Sequence, residues 1–584
     1  MNEGAPRPQK IEALWVVLAA GLAFASSVTD PFIPWDDDIY VTASARTQRH
    51  GWEGFTSLWS SDDVWGNRFI EFFPLRDTVY WATWQTFGKS PTAFHVVNIV
   101  AHVMVALLVL RLGRKLALPG TAAFWGAMFF AVHPVHVESV TWVSALKDPM
   151  FTGLLIGSVL AFLDYRTSRR PSAWALCVVL MVGSLLCKSI GIALPLLLLA
   201  IDRWLEPQVP WRISLQRVAG PGVIAALFTL QFALIGKNNG VIVPPHGGSW
   251  GQHLFLMSWA LVRYVQQALL PATFRIHYCF PPLSGPFDPR LLGIVALAVL
   301  LVGGLILAWR KNRLAGVLVL WFLICLLPVA NVLPFPAIMA DRYLYAPSVA
   351  ACLLVAWGLQ AVVAERRWVF ALITLVLAGV TAMRGVIWRD PANLWAEAVE
   401  DDACMQDTLV SAVMMYLNHA STEQDPRLAL VSFKKAFAHP RFKDLLPRNQ
   451  AVFLRKAESI ALELGDKPLA RQFSDQAIAV APWDAGAWIS RVSTADSPQE
   501  ALESAEHAFR LEKTADTYWM LGLTRLQMNQ EQGVNDLLQS VHLSPKSYCA
   551  AFVELLGNQL AQYRSRLTVV EQQCREGMAR QRSQ

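Results

Sequence analysis

Long apolar stretches alternate with short basic loops over the first two thirds of the chain. Runs long enough to cross a bilayer as helices, about 17–25 residues each, recur through this region. They fall near 12–29, 93–110, 121–136, 149–165, 172–187, 189–204, 220–236, 291–309, 314–330, 345–364 and 368–386. Lys and Arg gather in alternate loops: Arg7 and Lys10; Arg111, Arg114 and Lys115; Arg166, Arg169 and Arg170; Arg203, Arg212 and Arg217; Arg310, Lys311 and Arg313; Arg366 and Arg367. Eleven crossings with a cytoplasmic N-terminus put all six clusters inside. The segment 252–271 is apolar and helical in pattern, but a crossing there would invert every later loop. It reads as an outer interfacial helix, with Arg263, Tyr264, Gln266 and Gln267 on its wetter side. The first run lacks a well-placed small-residue cleavage site and reads as a retained anchor.

From about residue 387 the pattern turns polar, helical and repetitive. Leu464-Gly465-Asp466-Lys467-Pro468-Leu469-Ala470, then Ala477 and Pro482, follow the second half of a tetratricopeptide repeat. Small residues return at Ala501 and Ala508, and the phase returns at Val534 and Val541 after Leu521-Gly522; a weaker unit shows at Ala429, Phe433 and Ala436. One such unit cannot bury its apolar face alone, so at least three must stack. The expected organisation is all-α: a polytopic membrane bundle over 1–386, with a long first outer loop at 30–92, then a soluble α-solenoid over 387–584 on the outer side. A plain helical bundle is the simpler alternative for that last part.

Composition narrows the functional classes. The chain is 54% hydrophobic and only 16% charged, against roughly 25% charged in soluble domains. Its 23 Trp and 29 Phe suit interfacial belts and lipid-facing helices. The net charge of +6 is explained by topology and leaves no nucleic-acid footprint. Cys177, Cys187, Cys325 and Cys352 lie in spans as packing residues, whereas Cys549 and Cys574 could bridge in an oxidising compartment. No Cys/His spacing suggests a structural zinc site.

Against that background, charged residues at or near membrane depth are functional candidates. Asp36-Asp37-Asp38 follow the first apolar run, where like-charge proximity would raise one carboxyl and make it a better base near neutral pH; a solvated acidic loop is the alternative. His133-Pro134-Val135-His136-Val137-Glu138, then Lys147 and Asp148, end a later run. Lys188 separates two runs, and Asp341-Arg342-Tyr343 follows a Pro-rich turn. Arg342 can fork onto phosphate oxygens, with Lys188 and Lys147 next in order; pairing of Arg342 with Asp341, or of Lys147 with Asp148, would be structural instead. His133 and His136 stand three apart, as metal ligands can, but Pro134 disturbs that register and hydrogen bonding fits better. His95, Asn98 and His102 share a helical face suited to interhelical hydrogen bonds.

The order of these pieces matters more than any one of them. The acidic triplet, Phe73-Pro74-Leu75, Phe94-His95 through His102, the His133–Trp142 motif, Lys188 with Pro195 and Asp202, Ala340-Asp341-Arg342-Tyr343-Leu344-Tyr345 and a repeat domain occur in sequence. The chain resembles the transmembrane and tetratricopeptide-repeat O-mannosyltransferases and their bacterial relatives in the GT-C glycosyltransferase superfamily. It departs from their pattern at Leu146 and Arg76.

The resemblance implies an inverting transfer of sugar from a polyprenyl- or dolichyl-phosphate carrier to a hydroxyl outside the cytoplasm. Asp36 or Asp37 would be the base. Arg342, Lys188 and Lys147 would hold the lipid phosphate, Glu138 could orient sugar hydroxyls, and His136, His133 and Tyr343 are further substrate-binding candidates. No cofactor is required by the residues, and a divalent metal is optional because a protein cation can stabilise the leaving phosphate. The repeats would present a polypeptide acceptor or dock a partner protein, from a bacterial inner membrane. Transfer to a lipid or surface glycan, a non-enzymatic anchored scaffold and a transporter are the other classes; a transporter should show repeats among its spans, and none is evident.

Overall fold

The computed structural model describes residues 7–42, 44–60, 72–118, 120–238, 244–332, 334–335, 337–363, 366–399, 410–557 and 564–582. Among them the chain is helical, with no strand. Two compact units divide it, Met1–Ala412 and Val413–Gln584. The first therefore runs past the drop in hydropathy near residue 387, because the short helix Pro391–Val399 buries Leu394, Trp395 and Ala398 within it.

Each apolar run of the sequence becomes a helix, but not each becomes a full span. Among the described residues six are long and apolar enough by length and composition: Pro91–Lys115, Val143–Ser168, Trp211–Gln231, Pro289–Lys311, Asp341–Val363 and Arg367–Trp388. The helices in the other runs are shorter, among them Gly120–Ala131, Pro171–Leu185, Leu194–Leu205 and Arg313–Leu326. Local chemistry sets many starts. Proline occupies the first turn of the helices beginning at Pro74, Pro91, Pro171 and Pro289, where its missing N–H costs nothing. Asn312 accepts from the Leu314 and Ala315 N–H groups, so one helix ends and the next begins within a residue.

Small residues decide which helices touch. A Cβ on Gly126 would lie 2.8 Å from a Leu353 methyl and 3.0 Å from the Leu353 Cα; one on Gly113 would lie 3.0 Å from the Ala123 Cβ. The helices Pro91–Lys115, Gly120–Ala131 and Tyr345–Val363 thus approach backbone to backbone, as membrane helices do at small residues. Gly126→Ala is expected to lower stability by about 1–3 kcal/mol through overpacking, read as a lower inactivation temperature of the detergent-solubilised protein. By contrast Pro289–Lys311 buries no residue, and its mean hydropathy of 2.9 suits a helix turned wholly to lipid.

Three of the short helices break off where charges lie. After Ala131 the chain forms a tight turn at Pro134–His136, a one-turn helix at Val137–Thr141 and a second turn at Val143–Leu146, before the helix Lys147–Ser168. After Leu185, Lys188 is extended and a turn at Ser189–Ala193 precedes Leu194–Leu205. After Leu326, a turn at Leu327–Val329 and one at Asp341–Leu344 precede Tyr345–Val363. Non-helical backbone in a membrane bundle survives only where other groups satisfy it. Side chains do so at the first break: His102 Nε2 pairs with Ala131 O at 3.0 Å, Thr381 donates to Val132 O at 2.7 Å, Asn98 donates to Trp142 O at 2.8 Å, and Tyr80 donates to Val143 O at 3.1 Å. His102 and Asn98 therefore act as interhelical hydrogen-bonding residues.

In the second unit each helix from Pro426 onward packs on the next. Pro447–Glu463 also packs on Ala485–Thr494, and Ala485–Thr494 on Ala515–Gln527. Ala429, Phe433, Ala436, Ala477, Ala501, Ala508, Val534 and Val541 are all buried. A Cβ on Gly522 would sit 2.8 Å from the Gly533 carbonyl oxygen, so these two glycines allow one helix pair to close. Asp425, Asp466, Asp484, Ser497 and Thr514 cap their helices through the side chain. Cys549 and Cys574 are bridged, with Cα atoms 5.1 Å apart, joining Pro545–Gly557 to Arg564–Arg582.

Candidate active site

The three breaks converge. The Pro134–His136 turn and the Val137–Thr141 helix touch the Asp341–Leu344 turn, and Ser189–Ala193 touches Leu327–Val329. The residues singled out by sequence therefore gather from positions more than 200 apart. Glu138 accepts from the Arg342 backbone N–H at 2.9 Å with one oxygen and from its guanidinium with the other. Asp148 binds the Lys188 ammonium, and Asp148 also feels Lys147 and Arg342. The Arg342 guanidinium carbon and the Lys188 nitrogen lie 5.1 and 5.6 Å from the Tyr343 ring centroid, so one ring serves two cations.

These pairings differ from the structural ones available in the sequence. Arg342 is tied to Glu138, not Asp341. Asp341 is buried and accepts from Tyr278 at 2.5 Å and from Gln267 at 3.4 Å. Lys188 rather than Lys147 holds Asp148; the Lys147 nitrogen lies 5.7 Å from the Tyr40 ring, beside which the buried Arg76 guanidinium sits at 4.0 Å. Arg76 in turn pairs with Asp77, which also faces Arg46 at 3.9 Å. Arg76 and its neighbour Asp77 thus fasten the segment carrying Tyr40 and Arg46 to the helix Pro74–Phe87.

His133 and His136 do not share a helical face, because Pro134 turns the chain between them. His133 Nε2 pairs with Ala268 O at 3.3 Å, and His136 Nε2 with Ser348 Oγ at 2.8 Å. Among the described residues no group of three His, Cys, Asp or Glu side chains is arranged to hold a metal ion.

The wet face assigned to the helix at 252–271 needs correction. Helix Trp250–Leu269 buries Tyr264 and Gln267. Tyr264 Oη accepts from the Ala340 N–H at 3.3 Å, and Gln267 reaches Asp341 and Tyr278. Their polarity answers the polar interior around Asp341, not water. Arg263 turns instead to Gln266 and Thr273.

The acidic turn lies against this cluster through Trp35. Its ring stacks on Trp142 at 4.4 Å and 11°, and the Arg342 guanidinium lies 5.8 Å from Trp35 and 5.6 Å from Trp142. Asp37 is fully buried. One oxygen accepts from the Ile33 N–H at 2.9 Å, the other from the Ser144 N–H at 2.9 Å and from the Ser144 hydroxyl. Asp38 accepts from Thr42 at 2.8 Å. Asp36 is partly exposed. Trp35, Trp142 and Ser144 carried no signal of their own in a chain with 23 Trp; only their adjacency to charged motifs marked them.

Burial raises the Asp37 carboxyl to about 7; the Ser144 and Ile33 hydrogen bonds oppose this, and Asp36 adds to it. The unfolded carboxyl titrates near 4. Between those values the folded state holds more protons, so the stability Asp37 confers is full below about pH 4 and is lost as pH rises through about 7. The protection of the amides in residues 30–42, taken relative to their intrinsic base-catalysed exchange rates, is therefore expected to be weaker at about pH 8 than at about pH 6, and Asp37→Asn should remove that difference in protection.

No family model matches the chain. Among curated proteins it is 23% identical over 459 residues to human protein O-mannosyl-transferase TMTC4, covering 66% of this chain and 61% of that one. It is 24% identical over 398 residues to mouse protein O-mannosyl-transferase TMTC3, covering 58% and 42%. The chain resembles the membrane protein O-mannosyltransferases. It spans about half the length of these curated relatives, 61% and 42% for the two named. Human protein O-mannosyl-transferase TMTC1 matches over a shorter stretch, 29% identical over 161 residues, covering 26% of this chain and 17% of that one. Among solved structures, ArnT from Cupriavidus metallidurans bound to undecaprenyl phosphate aligns over 95% of this chain and 92% of that one, at 14% identity and a TM-score of 0.36. A likeness of that size carries no positional argument.

Proposed function

We propose that this membrane protein is an inverting glycosyltransferase of the GT-C type. It moves a sugar from a polyprenyl-phosphate carrier to a hydroxyl, on exported protein, at the outer face of the membrane. The observation that carries this reading is the meeting of Trp35, and the acidic turn it begins, with Arg342 at the broken helices. A transfer of this kind needs a base for the acceptor hydroxyl and a cation for the leaving phosphate, held a sugar's width apart.

Asp36 is the base in this reading. It is partly exposed, whereas Asp37 is fully buried and fixes the turn to Ser144, and Asp38 accepts from Thr42. Arg342 is the principal phosphate ligand: its five N–H donors exceed what Glu138 uses. Lys188 and Lys147 add positive charge, and Tyr343 orients the two cations. His133 and His136 hold the break that carries Glu138. The leaving group departs as a lipid phosphate monoester, and the acceptor proton passes to Asp36. The names of the relatives favour mannose as the sugar and protein as the acceptor. The second unit, read as tetratricopeptide-like, would present that polypeptide.

The test is a glycopeptide comparison of exported proteins from cells with and without the gene. Hexose on Ser or Thr that disappears with the gene supports the proposal. An unchanged protein profile with an altered lipid or surface glycan would move the acceptor away from protein.

A further inference from the structure

The helix Pro391–Val399 lies beyond the last apolar run, where hydropathy places the start of a separate domain. It is built into the first unit instead. Asp390 accepts from the Ala392 N–H at 3.0 Å and starts the helix, with Pro391 in its first turn. Its inner face, Leu394, Trp395 and Ala398, is buried. On its other side Glu397 takes both oxygens to Arg384, at 2.7 and 2.9 Å, and that arginine is itself buried in the preceding helix. Two further contacts tie this end of the unit to the same region. Trp388 lies 6.3 Å from Trp142, and Arg389 faces Asp30 at 3.4 Å.

Trp395 meets the acidic turn directly. Its ring stands edge-on to Trp35 at 5.0 Å and 79°, while Trp35 stacks on Trp142 by its face. Trp35 is thus held by two rings at right angles, the arrangement that aromatic quadrupoles favour. Trp395 is fully buried, and its indole N–H has no hydrogen-bond partner among the described residues. A buried donor left unpaired is a cost, so the residue acts through its ring and not through a hydrogen bond. Arg342 also faces Trp35 at 5.8 Å, but it is braced besides by Glu138 through both backbone and side chain and by the Trp142 ring, contacts that do not pass through Trp35.

We propose that the helix Pro391–Val399 is a positioning element for the acidic turn and that Trp395 is its positioning residue, holding Trp35 and with it Asp36 against the cation cluster. The inference rests on the reading of Asp36 as the base. Losing the ring should displace the base and spare the donor site, because a misplacement near 1 Å costs about a hundredfold in an oriented reaction.

The experiment uses the full-length protein in nanodiscs, with polyprenyl-phosphate mannose as donor and the exported-protein fraction as acceptor. Trp395→Phe, Trp395→Leu and Trp395→Ala are compared with Asp36→Asn, with folding followed by thermal melting. Trp395→Leu keeps an apolar side chain and leaves a smaller cavity than Ala, should the Ala variant fail to fold. The expected result is kcat lowered at least about tenfold in the Leu variant, donor affinity within about twofold of the parent, and the Phe variant within about twofold in both. A folded Leu variant with parental kcat beside an inactive Asp36→Asn overturns the positioning role and leaves the base intact. Donor affinity falling in step with kcat, or a Phe variant as impaired as Leu, overturns it too. A fully active Asp36→Asn removes the base and this inference together.

Discussion

Replacing Asp36 with Asn is expected to leave the protein folded and inserted and to lower sugar transfer by about 10³-fold, within the range for a lost general base. The size follows from where the carboxylate stands. Asn keeps the volume and one acceptor oxygen, so the turn held by Asp37 and Ser144 should persist. It cannot take a proton from the acceptor hydroxyl. Donor binding should change little, because Arg342 and Lys188, the two leading phosphate ligands, are held by Glu138 and Asp148. Asp37→Asn has a different expected signature. The amide would turn an N–H toward the Ile33 N–H or toward Ser144, both of which now donate to Asp37. Loop stability and activity should then fall together, and the two variants are separated by comparing amide exchange with turnover.

Arg342 carries the second large effect. Removing it alone leaves Glu138 buried without its cation, which costs about 3–5 kcal/mol in folding and confounds any activity measurement. The informative variant is the pair Glu138→Gln with Arg342→Gln. The neutral pair is expected to fold and to lose donor affinity by about 2–4 kcal/mol, roughly 30- to 700-fold. Arg342→Lys should keep the charge but lose the fork, giving an intermediate affinity. Binding of polyprenyl-phosphate mannose to purified protein, measured by titration, checks both. Parental affinity in the folded neutral pair would mean that the lipid phosphate sits elsewhere.

Much of this site could be read from sequence for one physical reason. A charge in an apolar surrounding is expensive, so Glu138, Lys147, Lys188, Asp341 and Arg342 stood out against their neighbours. Their pairing was not readable, because Glu138 and Arg342 are 204 residues apart and nothing local distinguishes Glu138 from Asp341 as the partner. Helix breaks were visible where proline makes them, at Pro134, and where a lone charge divides two apolar runs, at Lys188. Hydropathy misled in two places. It treated the polar side of Trp250–Leu269 as wet, although Tyr264 and Gln267 face the interior around Asp341. It also ended the first unit near residue 387, although Trp395 packs on Trp35. Polarity alone does not say whether a side chain faces water or a polar site.

The central claim is that the acidic turn and the cation cluster border one site for a lipid-linked sugar phosphate. Photo-crosslinking with a diazirine-bearing polyprenyl-phosphate mannose, followed by peptide mapping, tests it most directly. Label is expected in the segments around residues 33–38, 138–148, 186–191 and 341–345, and it should be lost in the Glu138→Gln, Arg342→Gln pair. Labelling confined to other parts of the bundle, unchanged in that pair, would contradict the account.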